Sequence, residues 1–530
     1  MSNVNLLCKH SSVESVATIM AQILGLLAIF LVIITSYGAG LNLWGDEAYA
    51  LIVSAKSVGE ILAADPFHLP TYYLALHPIV GFFPAGSELS LRLIHGFIFG
   101  IGLVFCWHIA RSFLGRGRAL WGVLILTILL PNYIFYATNI RMYALLFAAS
   151  MAFLWTAFRL LTPGGDRRST VLWHLLTALL CGLVDWPGLL VVGVTWLALI
   201  LLRRRWLVAR GWWSGRTVAV VGALAGSAAL VLREPLMRLI VAWPSSARAA
   251  AAGGLDLGAL AKTLFFSSRP LLDLVYPPVY PLVLNVLLWL LLVLAVSVAG
   301  VVLWRGGDER QRLVVVLALT WLVGAPFGFA VTRVFLPSQF FLLLSLALAL
   351  QSLIRERRRS LVLLLWSCLI AVGLANLQQA LVPTLRIYSR IPFAAIARDA
   401  LAASRDRNLS TIVVSRHTLN ALSVERFARP QLVESQRLRL LDVRPVCTSF
   451  PRGTFVYVQL MPEDGEDSDP RRICGEGVAV RVDMLRSYVS FAELGYNRLW
   501  DGNLNNRGDV AARLQLVTIP AAAEAPPSSG

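Results

Sequence analysis

The sequence predicts an all-α polytopic membrane protein that carries a small soluble α/β domain at its C-terminal end. Three observations lead there. Only 15% of the 530 residues are charged and 57% are hydrophobic, with a mean hydropathy of +0.69, where a soluble chain carries about 25% charge. The charges are clustered between apolar runs, many of which approach the ~20 residues that cross a bilayer. From Arg386 onward the composition changes to that of a soluble domain.

The apolar runs follow in chain order. The first, 16–37, is too long for a signal-peptide core, and no small-x-small cleavage pattern precedes Trp44, so it is expected to remain as an uncleaved first span. Residues 46–64 mix Ala50, Leu51, Val53, Val58, Ile61 and Leu62 with polar residues, which reads as a short helix lying along the membrane interface. The run Asp65-Pro66-Phe67-His68-Leu69-Pro70 breaks it. Residues 71–83 are apolar but too short to span, and read as a second interfacial or half-buried helix ended by Pro84-Ala85-Gly86. Further spans are expected near 89–113, 119–136, 140–161, 171–186, 187–202, 217–232, 281–303, 313–331, up to 354, and 361–381, which makes about eleven in all. A long segment, 233–280, separates the seventh from the eighth. In the soluble part, 411–415 and 454–458 read as strands, and 394–403 and 482–494 as helices. The expected domains are residues 1–383 (transmembrane), 384–520 (soluble) and 521–530, an Ala/Pro/Ser-rich tail without a fold of its own.

Net charge is +17, and every basic residue except Lys9, Lys56 and Lys262 is Arg. Nucleic-acid binding is rejected as the reason, because the Arg residues sit in short caps between apolar runs and not on one soluble face. Arg-rich connections (Arg111, Arg116 and Arg118; Arg167 and Arg168; Arg203, Arg204 and Arg205; Arg305, Arg310 and Arg312; Arg355, Arg357, Arg358 and Arg359) alternate with Arg-poor ones. The positive-inside rule places the former, with the N-terminus, in the cytoplasm. It places Glu47, 233–280, Arg333 and everything after 381 outside, in the periplasm if the membrane is a bacterial inner membrane. Of the six Cys, Cys106, Cys181 and Cys368 lie in apolar runs and read as packing residues. Cys447 and Cys474 lie in the soluble region, where an oxidising compartment would let them pair.

Three sets of residues at the expected outer face could carry chemistry. Asp46 and Glu47 are adjacent carboxylates where the first span ends, and ionisable groups at membrane depth tend to be functional. His68 and Tyr72 follow in His68-Leu69-Pro70-Thr71-Tyr72-Tyr73; with Asp46 and Glu47, His68 could hold a divalent metal or position an acceptor hydroxyl. Arg92, Arg141 and Arg333 stand at outer span ends, where the positive-inside rule disfavours them, and guanidinium groups bind phosphate oxygens bidentately. Tyr143 and Tyr276 could add hydroxyl donors. A carboxylate set beside phosphate clamps suits group transfer from a lipid phosphate. No glycine-rich nucleotide loop is present.

These residues resemble the GT-C superfamily of membrane glycosyltransferases, and are most similar to the branch holding protein O-mannosyltransferases and lipid A aminoarabinose transferases. The resembling stretches are Asp46-Glu47, His68-Leu69-Pro70-Thr71-Tyr72-Tyr73, Ser90-Leu91-Arg92-Leu93 and Asn139-Ile140-Arg141-Met142-Tyr143-Ala144-Leu145, in that order. The resemblance implies a polyprenyl-phosphate sugar donor, inversion at the anomeric carbon and a periplasmic site with Asp46 as general base. It also implies that Arg333 contacts the lipid phosphate, and that the acceptor is a hydroxyl on a lipid, glycan or protein. The chain departs from the family at Leu69, where a Pro is usual, at Val334, where Tyr is usual, and at Asp185-Trp186-Pro187, where the family often has His-Tyr. Acceptor class and metal stay open on these grounds. Two rivals remain. A transporter or flippase of lipid-linked sugars would place polar residues at the membrane midplane within inverted repeats, and no repeat is visible. A non-catalytic scaffold would not need the Asp-Glu, His and Arg set.

Overall fold

A computed structural model describes residues 16–38, 43, 45–64, 68–83, 88–162, 168–209, 282–320, 336–381, 393–414, 424, 450–460, 469–474, 478–488 and 512–520, with the backbone alone for a few, among them Asp46 and 203–209. The first long helix, α1 (Val16–Gly38), is followed by two short ones, α2 (Gly45–Ser54) and α3 (Val58–Ala64), and then by α4 (Thr71–Val80). The single interfacial helix expected over 46–64 is therefore two. The break falls at Lys56-Ser57, where Glu60 accepts from both the backbone N–H (3.0 Å) and the hydroxyl (2.6 Å) of Ser57, and this local bonding starts a new helix.

The bundle continues with α5 (Glu88–Leu114), α6 (Arg118–Ile128), α7 (Pro131–Thr138), α8 (Tyr143–Leu160), α9 (Arg168–Val184) and α10 (Trp186–Ala209). After the undescribed segment come α11 (Leu282–Gly306), α12 (Glu309–Ala318), α13 (Leu336–Arg355) and α14 (Arg359–Leu381). The expected third span is broken: α6 and α7 meet at 58°. Pro131 causes this, since it lacks an N–H and forces Leu130 into extended backbone (φ −62°, ψ 123°). Four described helices (α1, α5, α8 and α13) are long and apolar enough to cross a membrane, and the bent α6–α7 pair makes up to five; α9, α10, α11 and α14 hold shorter apolar stretches. The chain is thus a multi-pass membrane protein. Helices lie at, or begin at, every expected span but the seventh, which with the second half of the ninth falls outside the described residues.

Burial orders the helices. The apolar windows of α8 and α13 are 83% buried and that of α1 only 17%, so α8 and α13 are central and α1 is peripheral. The central contact is α5 on α8, where Gly102 lets Phe147 approach; Phe147 stacks on Phe99 (4.2 Å between ring centres) and meets Tyr133 edge-on (5.0 Å). Several polar groups inside are paired from helix to helix, which a water-free interior favours. Tyr133 donates to the Leu336 carbonyl (2.6 Å), tying α7 to α13. Trp196 Nε1 donates to His174 Nε2 (3.1 Å), and His174 Nδ1 then donates to Thr156 Oγ1 (2.9 Å), joining α10, α9 and α8. Leu24, Val32, Trp173, Leu201, Leu363 and Leu374 are exposed on the outside, where lipid would cover them.

The Arg-bearing turns share one end. There Arg111 lies over Trp107 (4.7 Å), Arg159 over Trp155 (5.7 Å) and Arg310 over Phe113 (4.5 Å). Arg310 also donates to Ser112 (2.5 Å), linking the α11–α12 turn to the end of α5. The other end carries the starts of α2, α5 and α8 and the α9–α10 turn.

In the C-terminal part, α15 (Phe393–Asp406) packs on a four-stranded sheet of β1 (Ile412–Val414), β2 (Gly453–Leu460), β3 (Arg481–Tyr488) and β4 (Ala512–Ile519), and α16 (Pro470–Cys474) lies against β3. The strand order is β1-β2-β4-β3, with β1 parallel to β2 and the other pairs antiparallel. Alternation splits β2 between two cores: Val456 and Val458 pack with Ile396 and Ala400 of α15, and Phe455 and Tyr457 pack with Phe450 and Val517 on the opposite face. Where a helix is expected over 482–494, β3 occupies 481–488, and 489–494 lie outside the described residues. A bulge between Met484 and Arg486 interrupts the two-residue alternation, so Val482 packs on one side of the sheet and Leu485 and Tyr488 on the other, and the period of a strand is lost.

Candidate active site

Glu47 lies in the first turn of α2 and Arg92 in the first turns of α5. Both are 2% exposed. Arg92 forms a two-pronged pair with the Glu47 carboxylate, Nη1 to Oε1 at 2.5 Å and Nη2 to Oε2 at 2.8 Å. Nη1 also donates to the Thr138 carbonyl (2.6 Å) at the end of α7, and Glu47 Oε1 accepts from the Ile140 N–H (2.9 Å) in the turn before α8. One ion pair therefore fastens α2, α5 and the α7–α8 turn. A buried charge pair is favoured when further hydrogen bonds satisfy it, and here the Thr138 carbonyl and the Ile140 N–H supply two of them.

The α7–α8 turn presents Arg141, and Pro70 at the start of α4 follows His68. These two meet: Arg141 Nη2 is 3.3 Å from His68 Nε2, and His68 Nδ1 is 3.4 Å from Asp185 Oδ1. Asp185 is 2% exposed and belongs to the α9–α10 turn, 117 residues away in sequence from His68. Beneath them Tyr72 donates to His95 Nε2 (2.8 Å), since His95 Nδ1 already donates to the Leu91 carbonyl (2.8 Å). Burial pushes the Tyr72 phenol well above its usual pKa; the Arg141 charge opposes this, and Glu47 and Tyr143 add to it. Tyr72 thus stays a neutral donor with Glu47, Arg141 and Tyr143 within electrostatic reach. Tyr143 is buried with its ring edge-on to Tyr136 (5.0 Å).

Of the residues singled out in the sequence, the structure gathers Glu47, His68, Tyr72, Arg92, Arg141 and Tyr143 at the end of the bundle away from the Arg-bearing turns. Asp46 is in the first turn of α2, and its side chain is outside the described set. Tyr276, Arg333 and Cys447 lie outside the described residues. Cys474 is disulfide-bonded, and Cys106, Cys181 and Cys368 are buried free thiols. Arg92, expected among the phosphate clamps, is bound to Glu47. Among the described residues no three His, Cys, Asp or Glu are placed to hold a metal ion. Asp185 and His95 were not among the expected site residues. Asp185 had a signal, being an acid set between two apolar runs; His95 had none, because a single His within a span has no partner visible in sequence.

No family model matches the chain, and no characterised protein matches it by sequence. Among solved structures, ArnT from Cupriavidus metallidurans bound to undecaprenyl phosphate matches over 96% of this chain and 99% of its own, with a TM-score of 0.52 at 14% identity. The chain has the GT-C fold. The apo state of that ArnT matches at a TM-score of 0.48 and 13% identity, covering 84% of this chain and 93% of that one. The apo oligosaccharyltransferase of Archaeoglobus fulgidus matches at 0.46 and 12%, covering 78% and 64%. At such identities no side chain of the site follows from the likeness. The GT-C fold supplies the frame, and the Glu47–Arg92 pair, the Asp185–His68–Arg141 chain and the Tyr72–His95 pair are particulars of this sequence.

Proposed function

We propose that this protein is an inner-membrane glycosyltransferase that moves a sugar from a polyprenyl-phosphate donor to a hydroxyl of a lipid, glycan or protein acceptor at the periplasmic face. One observation carries the reading. A buried set of carboxylate, imidazole, phenol and guanidinium groups collects at one end of a chain that matches, end to end, a GT-C structure holding undecaprenyl phosphate. A hydrophobic donor that brings its own activated sugar needs no nucleotide site.

The reaction is an inverting displacement. The acceptor oxygen attacks the anomeric carbon, Asp46 takes the acceptor proton, and the bond from that carbon to the phosphate oxygen breaks. The polyprenyl phosphate leaves with one more negative charge than it had as a diester, and Arg141 and Arg333 offset that charge as it forms. Glu47 is committed to Arg92, so Asp46 is the carboxylate of the pair left to act as base. Tyr72, Tyr143 and Tyr276 supply hydroxyl donors to the substrates. About eleven spans place the N-terminus in the cytoplasm, and residues 384–520, with a Cys447–Cys474 disulfide, in the periplasm. Cys474 being disulfide-bonded supports that compartment.

The test is an extraction of lipids and envelope glycans from cells with the wild-type gene, without it, and with Asp46→Asn. The expected outcome is that one polyprenyl-phosphate sugar accumulates and one glycan decoration disappears in both altered strains, while Asp46→Asn protein still inserts in the membrane. Unchanged glycans in the Asp46→Asn strain would remove Asp46 as base. Unchanged glycans and lipids in the deletion strain would favour the transporter or scaffold.

A further inference from the structure

We propose that the cleft between α1 and α6 is a binding site for one membrane phospholipid with an anionic headgroup, its acyl chain lying in the cleft and its headgroup at Arg118. The cleft begins at the Arg-bearing end of the bundle, away from Glu47 and Arg92, and its occupancy is independent of the reaction proposed for the opposite end.

α1 is held on its inner side. There Gly96 and Gly100 of α5 admit Ile34 and Leu27, whose atoms a Cβ at either glycine would meet, and Phe30 stacks on Phe99 (5.8 Å between ring centres). α1 also packs on α7. Toward α6 a cavity of about 420 Å³ stays open between the two helices. Its walls are two stripes at helical spacing, Gly25, Ile29 and Ile33 on α1 and Trp121, Ile125 and Leu129 on α6. Apart from Gln22 and the Trp121 indole N–H, the lining is apolar. Ile29 and Ile125 are exposed, so the cleft opens on the face that lipid covers. Gly102 makes room for a neighbouring side chain, whereas a Cβ at Gly25 would meet nothing within 4 Å. The absent side chain of Gly25 therefore deepens the cleft.

Length and charge set the occupant. Residues 22–33 of α1 rise about 16 Å, close to half of the ~30 Å hydrocarbon core. That is the depth of one leaflet, which an acyl chain fills. A polyprenyl phosphate held at the opposite end of the bundle starts from the other leaflet. Apolarity alone selects no lipid within a bilayer, because lipid tails are as apolar as the cleft walls. Fit to the cleft and charge at its foot do the selecting. Arg118 is exposed, begins α6 one turn before Trp121 on the same face, and is the one charged residue of α1 and α6. Arg116 stands in the turn before it. A guanidinium binds phosphate oxygens bidentately, and Trp is enriched at the level of the headgroups. One basic residue at an anionic lipid surface gives about a five-fold preference.

The experiment uses the full-length protein in mild detergent, titrated with phosphatidylglycerol or with phosphatidylcholine of the same acyl chains and read by native mass spectrometry. The wild type should bind its first phosphatidylglycerol about five-fold more tightly than its first phosphatidylcholine. Arg118→Gln should lose that preference. Gly25→Phe, which fills the cleft from a position where a Cβ meets no neighbour, should lose the tight first phosphatidylglycerol. Placement is read on the wild type alone, so it stands whether or not a variant folds. A phosphatidylglycerol with a diazirine midway along one chain should cross-link to peptides within 16–38 and 118–129. Equal binding of the two lipids by the wild type, an undiminished preference in Arg118→Gln, an unchanged first phosphatidylglycerol in Gly25→Phe, or cross-links confined to other helices would each overturn the site. A wild-type dimer that Gly25→Phe dissociates would overturn it by making a second copy the occupant. Displacement of the cross-linkable lipid by equimolar short-chain polyprenyl phosphate would overturn it by making the proposed donor the occupant.

Discussion

Arg92 is held by Glu47, and that partner decides what it can do. Arg92 meets a carboxylate two-pronged and a backbone carbonyl, all buried. Removing one member of such a pair leaves a bare charge in a low-dielectric interior, which costs about 3–5 kcal/mol. Glu47→Ala and Arg92→Ala are each expected to lower stability by that order, and the double substitution by clearly less than the sum. Thermal unfolding of the four proteins in one detergent checks this, and strict additivity would show that the pair does not act as a unit. At the same scale, Tyr72→Phe leaves His95 Nε2 buried without its donor and is expected to cost about 1–3 kcal/mol. The same unfolding measurement reports it, and no change would show that water reaches His95.

At the scale of elements, turns and breaks do more for the site than the helices they join. Pro131 bends the α6–α7 pair so that α7 ends against Arg92 through the Thr138 carbonyl. Gly188 lets α9 and α10 close up around Asp185. A Cβ at Gly188 would collide with the Cys181 carbonyl of α9, so Gly188→Ala is expected to cost about 1–3 kcal/mol from overpacking. Thermal unfolding checks this, and an unchanged midpoint would show that the turn adjusts. In the C-terminal part, Asp399 on α15 accepts from Arg486 (2.7 Å) and Tyr488 (2.7 Å) on β3, clamping helix to sheet. Burial, with Asp399 beside it, raises the Tyr488 pKa above its ordinary value. Only the neutral phenol donates to the carboxylate. The stability it contributes is thus fully present below the unfolded pKa of about 10 and is lost as pH rises from there through the raised folded value. Limited proteolysis between pH 9 and 11 should show cleavage within 393–520 increasing with pH in the wild type, and Tyr488→Phe should lose that added alkaline sensitivity.

At the scale of the molecule, one end of the bundle is ringed by Arg over aromatic faces and the other holds the site. The proposed orientation makes a direct forecast for labelling. In a Cys8→Ser background, where the remaining described thiols are buried or disulfide-bonded, Phe82→Cys should react with a membrane-impermeant maleimide on intact cells. Glu356→Cys should react only after permeabilisation. The reverse pattern would invert the topology and move the site to the cytoplasm. A peptide map of the same protein should show Cys447 joined to Cys474, and a free Cys447 would exclude that pairing.

The sequence by itself determined the features that composition and local spacing carry: the apolar runs, the alternation of Arg-rich caps, the change of composition near Arg386, and most of the residues that end up together. Those signals are one-dimensional, since bilayer thickness sets the run length and the cytoplasmic bias sets the caps. The α6–α7 bend was foreshadowed by Pro131 but not its angle, and β3 does not read as a strand because a bulge breaks its two-residue alternation. Only the tertiary structure decided the partnerships. Nothing local distinguishes Arg92 from Arg141, or tells that Glu47 is taken and that Asp185 reaches His68 across 117 residues. Which partner holds a buried charge depends on which groups lie within about 3 Å of it in the folded chain, and that proximity exists only once the helices have packed.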